Sequence, residues 1–301
     1  MENTGQKRVN LHIGAHKTAT TFIQKVLRAS KSNLAGHGIK YILMQNVRKN
    51  VTHRMRAHYN RGVSRSATTA AVRKYIESRF PEECTTLVIS EENFVGNCME
   101  LYTKSDLYPN VADRLQIVAD ALQGYEINVY FCMRDYLDFL PSAYCEFLRH
   151  NDFVTFETFL GGIDPQKDYW VRVVEGITGV FGADRTHAWA YEDFRKHTGR
   201  IMAELVSSAD VRFSYDIEDA RLSMSDMSIR ALGKLDEVLA PADTRKLVKA
   251  VTLAFPKSEG YGSYVPWDAA QQAFWSGKYQ HELELLRQRE GLFIDLQQSA
   301  S

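Results

Sequence analysis

Short apolar runs alternate with longer stretches of helical periodicity through the first half of the chain. Val9-Asn10-Leu11-His12-Ile13 has strand length and stops at Gly14. From Thr18 the period changes, with Phe22, Ile23, Val26 and Leu27 sharing one face of a helix. Further strands are expected at Ile39-Lys40-Tyr41-Ile42-Leu43, Thr86-Leu87-Val88-Ile89 and Ile127-Asn128-Val129-Tyr130-Phe131-Cys132. Helices are expected between them, at Val72 to Phe80, stopped by Pro81, and at Val111 to Leu122, broken at Gly124. Beyond Tyr215 the pattern is mostly helical, apart from a glycine-rich loop at Gly260-Tyr261-Gly262-Ser263-Tyr264. Strands that alternate with helices of ten or more residues imply crossover units and a parallel sheet. Continuously apolar strands imply helices on both faces. The expected fold class is α/β: one three-layer domain over residues 1–301 with helical additions at its C-terminal end.

With 15 Phe, 15 Tyr and 4 Trp, the 301 residues are too aromatic for a disordered chain. Lys plus Arg and Asp plus Glu both number 37, so the whole surface is not built to coat nucleic acid or an anionic membrane. No nucleic-acid partner is expected. The cysteines, Cys84, Cys98, Cys132 and Cys145, lack the close spacing of a zinc site or redox pair, and free thiols in a reducing compartment are expected. No apolar run approaches the roughly 20 residues of a membrane span. The polar start from Met1 to Arg8 does not read as a secretory leader, so a cytoplasmic protein is expected. Nothing in the sequence sets an oligomeric state.

In a parallel α/β sheet, ligands bind outside the carboxyl ends of the strands. The first strand ends in Gly14-Ala15-His16-Lys17-Thr18-Ala19-Thr20-Thr21, the Val88 strand in Ser90-Glu91-Glu92, and the Val129 strand in Arg134-Asp135. A strand, a glycine turn, a lysine and a threonine-rich helix start make a phosphate cradle, because helix N–H groups and the helix dipole both favour an anion. A nucleoside-triphosphate loop requires a second glycine directly before the lysine, and here only Gly14 and two residues precede Lys17.

The stretch from Leu11 to Gln24 resembles the 5′-phosphosulfate loop of sulfotransferases that use 3′-phosphoadenosine 5′-phosphosulfate (PAPS), closest to bacterial relatives of the carbohydrate, heparan-sulfate-type enzymes. Arg134 and, eight residues later, Ser142 are similar to the pair that binds the 3′-phosphate in that family. Softer similarities are Ala190-Tyr191-Glu192-Asp193-Phe194, after a late strand, and the helix start at Leu222 to Leu232. The resemblance implies a P-loop-like fold and PAPS as donor, with no metal. It implies that His16, Lys17, Thr18, Ala19, Thr20 and Thr21 line the donor loop, with Lys17 stabilising charge on the leaving phosphate. The chain departs from the family at Ala19, where glycine is usual; its methyl either narrows the approach of the sulfonate or faces away. His16 either touches the sulfonate or caps the loop, and His12 is expected to be packed. Pro141 belongs in a first helical turn, which places that helix start near Asp138 and Ser142 close to free N–H groups.

An acceptor hydroxyl needs a base, and Glu92 is the candidate, with Glu91 beside it. Mutual repulsion should raise one of the two pKa values; the plainer role for Glu92 is to hold Arg134 or a helix N-terminus in place. Between Arg48 and Arg79 lie Lys49, Arg54, Arg56, Arg61, Arg65, Arg73 and Lys74 against the single acid Glu77. This stretch is either a solvated helical face or the docking surface of an anionic acceptor, a glycan or glycolipid. The expected activity is sulfuryl transfer to a hydroxyl of a carbohydrate or glycolipid. The alternatives are an ATP-dependent small-molecule kinase and an inactive nucleotide- or polysaccharide-binding module.

Overall fold

In the computed structural model, residues 6–217 and 223–297 are described. Five strands form one sheet: β1 Arg8–His12, β2 Ile39–Ile42, β3 Thr86–Ser90, β4 Glu126–Met133 and β5 Thr186–Ala190. Their order is β2-β3-β1-β4-β5, and every neighbouring pair is parallel. Helices of nine residues or more are α1 Thr20–Ala29, α2 His53–Arg61, α3 Arg65–Glu77, α4 Val111–Ala121 and α5 Tyr136–Leu148. They continue with α6 Tyr169–Phe181, α7 Tyr191–Val206, α8 Asp226–Asp236, α9 Pro241–Ala254 and α10 Ala269–Arg287. The α/β class with a central parallel sheet and C-terminal helices is as the patterning implies.

The two-residue period of the strands sorts the core into two layers. Val9, Leu11, Leu87, Ile89, Val129 and Phe131 face the side covered by α3 to α6. Val88, Tyr130, Cys132 and Trp189 face the other side, against Ile23, Val26 and Leu27 of α1 and Ile201, Met202 and Leu205 of α7. The connection from β1 leaves by one face of the sheet and the connections from β3 and β4 by the other. Their carboxyl ends therefore part at β1, which is the crevice where such sheets take ligands.

Two sequence expectations change here. Helix α1 begins at Thr20, not Thr18, because Ala19 at its N-cap has left-handed backbone (φ 61°, ψ 17°). Helix α5 begins at Tyr136, with the Asp135 side chain accepting from the Leu137 N–H at 2.9 Å. Pro141 is therefore the sixth helical residue and Ser142 the seventh, away from the free N–H groups of the first turn. A proline inside a helix strands the carbonyl four residues before it. That carbonyl, of Leu137, is met by the Trp267 indole N–H at 3.0 Å, so the proline costs no buried acceptor. The late helix start proposed at Leu222 to Leu232 is described from Ser223 on: Ser225 caps α8, and Leu222 lies outside the described residues.

Cys84, Cys98 and Cys132 are buried and Cys145 is half-buried; all four are free thiols. Among the described residues no helix is long and apolar enough to cross a membrane.

Candidate active site

The loop from β1 to α1 is pinned at its start. The Ile13 and Ala15 N–H groups bond to Tyr130 and Cys132 carbonyls of β4 at 3.0 Å, and the Glu91 N–H to the His12 carbonyl at 2.9 Å. It then turns through three left-handed residues, Gly14 (φ 37°), Lys17 (φ 66°) and Ala19 (φ 61°). Alternation of this kind bends successive N–H groups inward. Among the described residues, no acceptor meets the backbone N–H groups from Lys17 to Phe22. The Thr20 hydroxyl is also buried without a partner. Thr18 is fully buried and its hydroxyl donates to the Ala15 carbonyl at 2.6 Å, so it braces the loop from within. Thr21 is exposed.

Glycine is the residue that tolerates a left-handed backbone; alanine there costs about 1–2 kcal/mol. Ala19→Gly should relieve that strain, less the entropy a glycine loses on folding. The expected gain is about 0.5–1 kcal/mol, a melting point higher by about 2 °C in calorimetry. A lower melting point would contradict the loop geometry.

Lys17 reaches Glu146 of α5 at 3.4 Å. Arg134, at the end of β4, donates from Nη1 to the Lys17 carbonyl at 2.8 Å, pairs with Asp138 at 3.5 Å and lies 4.6 Å over the Tyr191 ring. Its Nε is buried and unpartnered. Lys17, Arg134 and Ser142 line one cavity of about 420 Å³ together with Arg149, Lys257 and Ser263. The sequence reading passed over Arg149, Glu146, Lys257 and Ser263. The glycine-rich loop around Gly262 was the available signal for the last two, but its approach to α5 spans more than a hundred residues of sequence.

The other side of the loop holds the carboxylates. His16 meets the Tyr108 hydroxyl twice: its backbone N–H donates to that oxygen at 3.0 Å, and its ring Nδ1 is hydrogen-bonded to it at 2.8 Å. Burial lowers the His16 pKa, against the opposing charge of Glu92. Arg48 bridges the acidic pair: Nε to Glu91 at 2.8 Å and Nη2 to Glu92 at 2.7 Å. It projects from a single π-helical turn, Arg48–Thr52, between the short helix Met44–Val47 and α2. Glu92 also accepts from Gln24 of α1 at 3.3 Å. The expected pKa split is present, with Glu91 on the raised side. Burial and the neighbouring Glu92 charge push Glu91 up, and its side chain is wholly buried. Burial opposes ionisation of Glu92 too, but the charges of His16 and Arg48 prevail and hold it below the usual carboxylate range.

Part of the basic stretch is structural. Arg48 is taken by the carboxylates, Arg65 pairs with Asp113 and Asp120, and Arg73 donates to the Asp120 and Gln123 carbonyls at the end of α4. Arg54, Arg56 and Arg61 on α2 are exposed.

No protein-family profile and no curated protein sequence matches the chain. Among solved structures, a sulfotransferase from Alicyclobacillus acidocaldarius aligns with a TM-score of 0.42 and 14% identity, over 80% of this chain and 96% of that one. Retinol dehydratase, in complex with androsterone and the inactive cofactor PAP, aligns with a TM-score of 0.34 and 10% identity, over 99% of this chain and 85% of its own.

Proposed function

We propose that the chain transfers a sulfuryl group from PAPS to an acceptor hydroxyl. The observation that carries this reading is the run of unpartnered N–H groups from Lys17 to Phe22, closed around the orphaned Thr20 hydroxyl. Such a cradle leaves donors unmet unless an anion fills it. A second cluster of cations, Arg134, Arg149 and Lys257, faces the adjoining cavity, as a ligand with two separate anionic groups requires. The donor supplies an electrophilic sulfur on a phosphate leaving group. The loop N–H groups and Thr20 hold the 5′-phosphate, Arg134 and Ser142 the 3′-phosphate, and Lys17 meets charge developing at the bridging oxygen. Thr18 and Ala19 shape the loop, His16 closes its rim, and Thr21 stands at its outer edge. Glu92 takes the proton of the acceptor hydroxyl. Lys17, Arg134 and the N–H groups supply the positive field, so the reading needs no metal.

Thermal shift tests it against a kinase. Adenosine 3′,5′-bisphosphate at 100 times its dissociation constant should add about 2.7 kcal/mol of stability, and ATP with magnesium should add far less. The reverse order would favour the kinase.

Arg134→Ala should weaken the bisphosphate by about 1.5–3 kcal/mol and adenosine 5′-phosphate much less, in calorimetric titration. Equal weakening of both would leave Arg134 only its bond to the Lys17 carbonyl.

The acceptor class is read from charge: Arg54, Arg56 and Arg61 lie on the helix that follows Arg48, the residue that holds Glu92. An anionic glycan or glycolipid fits this placement. The Michaelis constant for such an acceptor should climb steeply with salt, since exposed charges are screened beyond about 10 Å at 0.1 M. Neutralising the three arginines should mimic salt and spare donor binding. A neutral sugar with salt-independent kinetics as the better acceptor would refute this.

A further inference from the structure

Arg48 holds the carboxylate pair with only part of its donor set. A guanidinium carries five N–H groups in one rigid plane. Nε donates to Glu91 at 2.8 Å and Nη2 to Glu92 at 2.7 Å. The second hydrogen of Nη2 and both hydrogens of Nη1 meet no acceptor among the described residues. Nη1 is not buried, and 35% of the side chain is exposed. One edge of the fork is thus pinned and another is open to solvent.

The pinned edge is rigid. The Glu91 side chain is wholly buried, and its N–H bonds to the His12 carbonyl at 2.9 Å. Arg48 itself starts the π-helical turn whose Val51 and Thr52 are buried. The plane of the guanidinium is therefore set before any ligand arrives. A cation needed only to neutralise Glu91 and Glu92 has no use for an exposed fork, and this one keeps donors in solvent in the geometry that matches a planar carboxylate. The charges of Glu92, Arg48 and Lys17 all bear on His16, so the open edge stands beside the donor loop. Two carboxylates already share the guanidinium, and the exposed Arg54, Arg56 and Arg61 of α2 add the positive charge that a third anion requires.

We propose that Arg48 is a specificity-determining residue: its open edge binds a carboxylate of the acceptor, and a hydroxyl close to that carboxylate is thereby placed on Glu92. Only the part of Glu92 as base rests on the sulfuryl-transfer reading. Nη2 touches Glu92, and the partners of one guanidinium lie within a few ångströms of each other. The acceptor class narrows from any anionic glycan to a sugar acid whose reacting hydroxyl is a near neighbour of its carboxylate. A charge carried elsewhere on the molecule is still attracted by α2 but does not position the hydroxyl.

The test uses the full chain, PAPS and three acceptors: methyl β-glucuronide, methyl β-glucoside and a glucoside with a carboxylate at the end of a long alkyl aglycone. The two acids carry the same charge in different places. The glucuronide should exceed either glucoside about 10-fold in kcat/KM, mostly through KM. Arg48→Lys should bring the three within about twofold, because an ammonium taken by Glu91 and Glu92 has no second edge to offer. Equal kcat/KM for the two acids in the wild type would overturn the proposal. So would an equal loss on all three acceptors in Arg48→Lys with the ratios kept, since Arg48 would then only brace the carboxylates. In the chain labelled with ¹⁵N-arginine, the Arg48 guanidinium signals should shift with the glucuronide and stay in place with methyl glucoside. A shift without sulfation would uphold the contact and reject sulfuryl transfer. No shift would overturn the contact, while thermal shift with the bisphosphate judges the donor separately. Should Arg48→Lys fail to fold, the wild-type ratios and spectra decide.

Discussion

Lys17→Ala is expected to leave the fold intact and to lower turnover by about 10²–10³-fold, the usual loss for one donor aimed at developing charge. Alanine suits this test because the left-handed backbone at position 17 is as demanding for alanine as for lysine. Strain is unchanged and only the amine is removed. In the structure that amine is held by Glu146 at 3.4 Å, with a quarter of the side chain exposed. Binding of adenosine 3′,5′-bisphosphate should change little beside turnover, because the loop N–H groups remain. Single-turnover kinetics with saturating donor measure the chemical step directly. Turnover within twofold of wild type would remove Lys17 from the mechanism.

Glu92→Gln should reduce turnover by about 10²–10⁴-fold while donor affinity stays nearly constant, since a base acts on the acceptor. The amide preserves shape, and Glu91 keeps its own bond to Arg48, so the turn after β3 should survive. Glu91→Gln is the control, and a larger loss there would move the assignment to the buried carboxylate. The pH profile offers a second reading. A base whose pKa is lowered stays ionised, and active, until pH falls through that lowered value. Turnover should therefore remain level from pH 8 down to about 5, and decline only below the ordinary glutamate value of about 4.3. An inflection near 6 or 7 would point to a group other than Glu92.

How far the sequence reveals this site depends on the range of the interactions involved. The strands β1 to β4 and the strand-end positions of Lys17, Glu92 and Arg134 follow from apolar runs and the residues that stop them, both local properties. The strand β5 is less legible, because Thr186-His187-Ala188-Trp189-Ala190 mixes polar and small residues and its pairing with β4 does the sorting. The start of α5 was misplaced because Pro141 obeys a rule about stranded carbonyls, and the partner that lifts the rule lies 130 residues away. Thr18 reads as a ligand by its neighbourhood; only the fold shows its hydroxyl turned onto Ala15. The raised member of the carboxylate pair could not be chosen either, since burial decides it and Arg48 touches both.

The bond between Trp267 and the Leu137 carbonyl also dictates an order of inheritance. While Pro141 is present, losing the indole leaves a helix carbonyl unmet beside the Ser142 wall of the cavity, and lineages carrying such a change should be purged. Once position 141 has an N–H, the helix supplies its own donor and the indole becomes dispensable. Homologues should therefore fall into those that keep both residues, those that have lost the proline and those that have lost both. Chains with the proline and no donor at 267 should be rare, and the path between the two extremes should run through chains that have the indole without the proline.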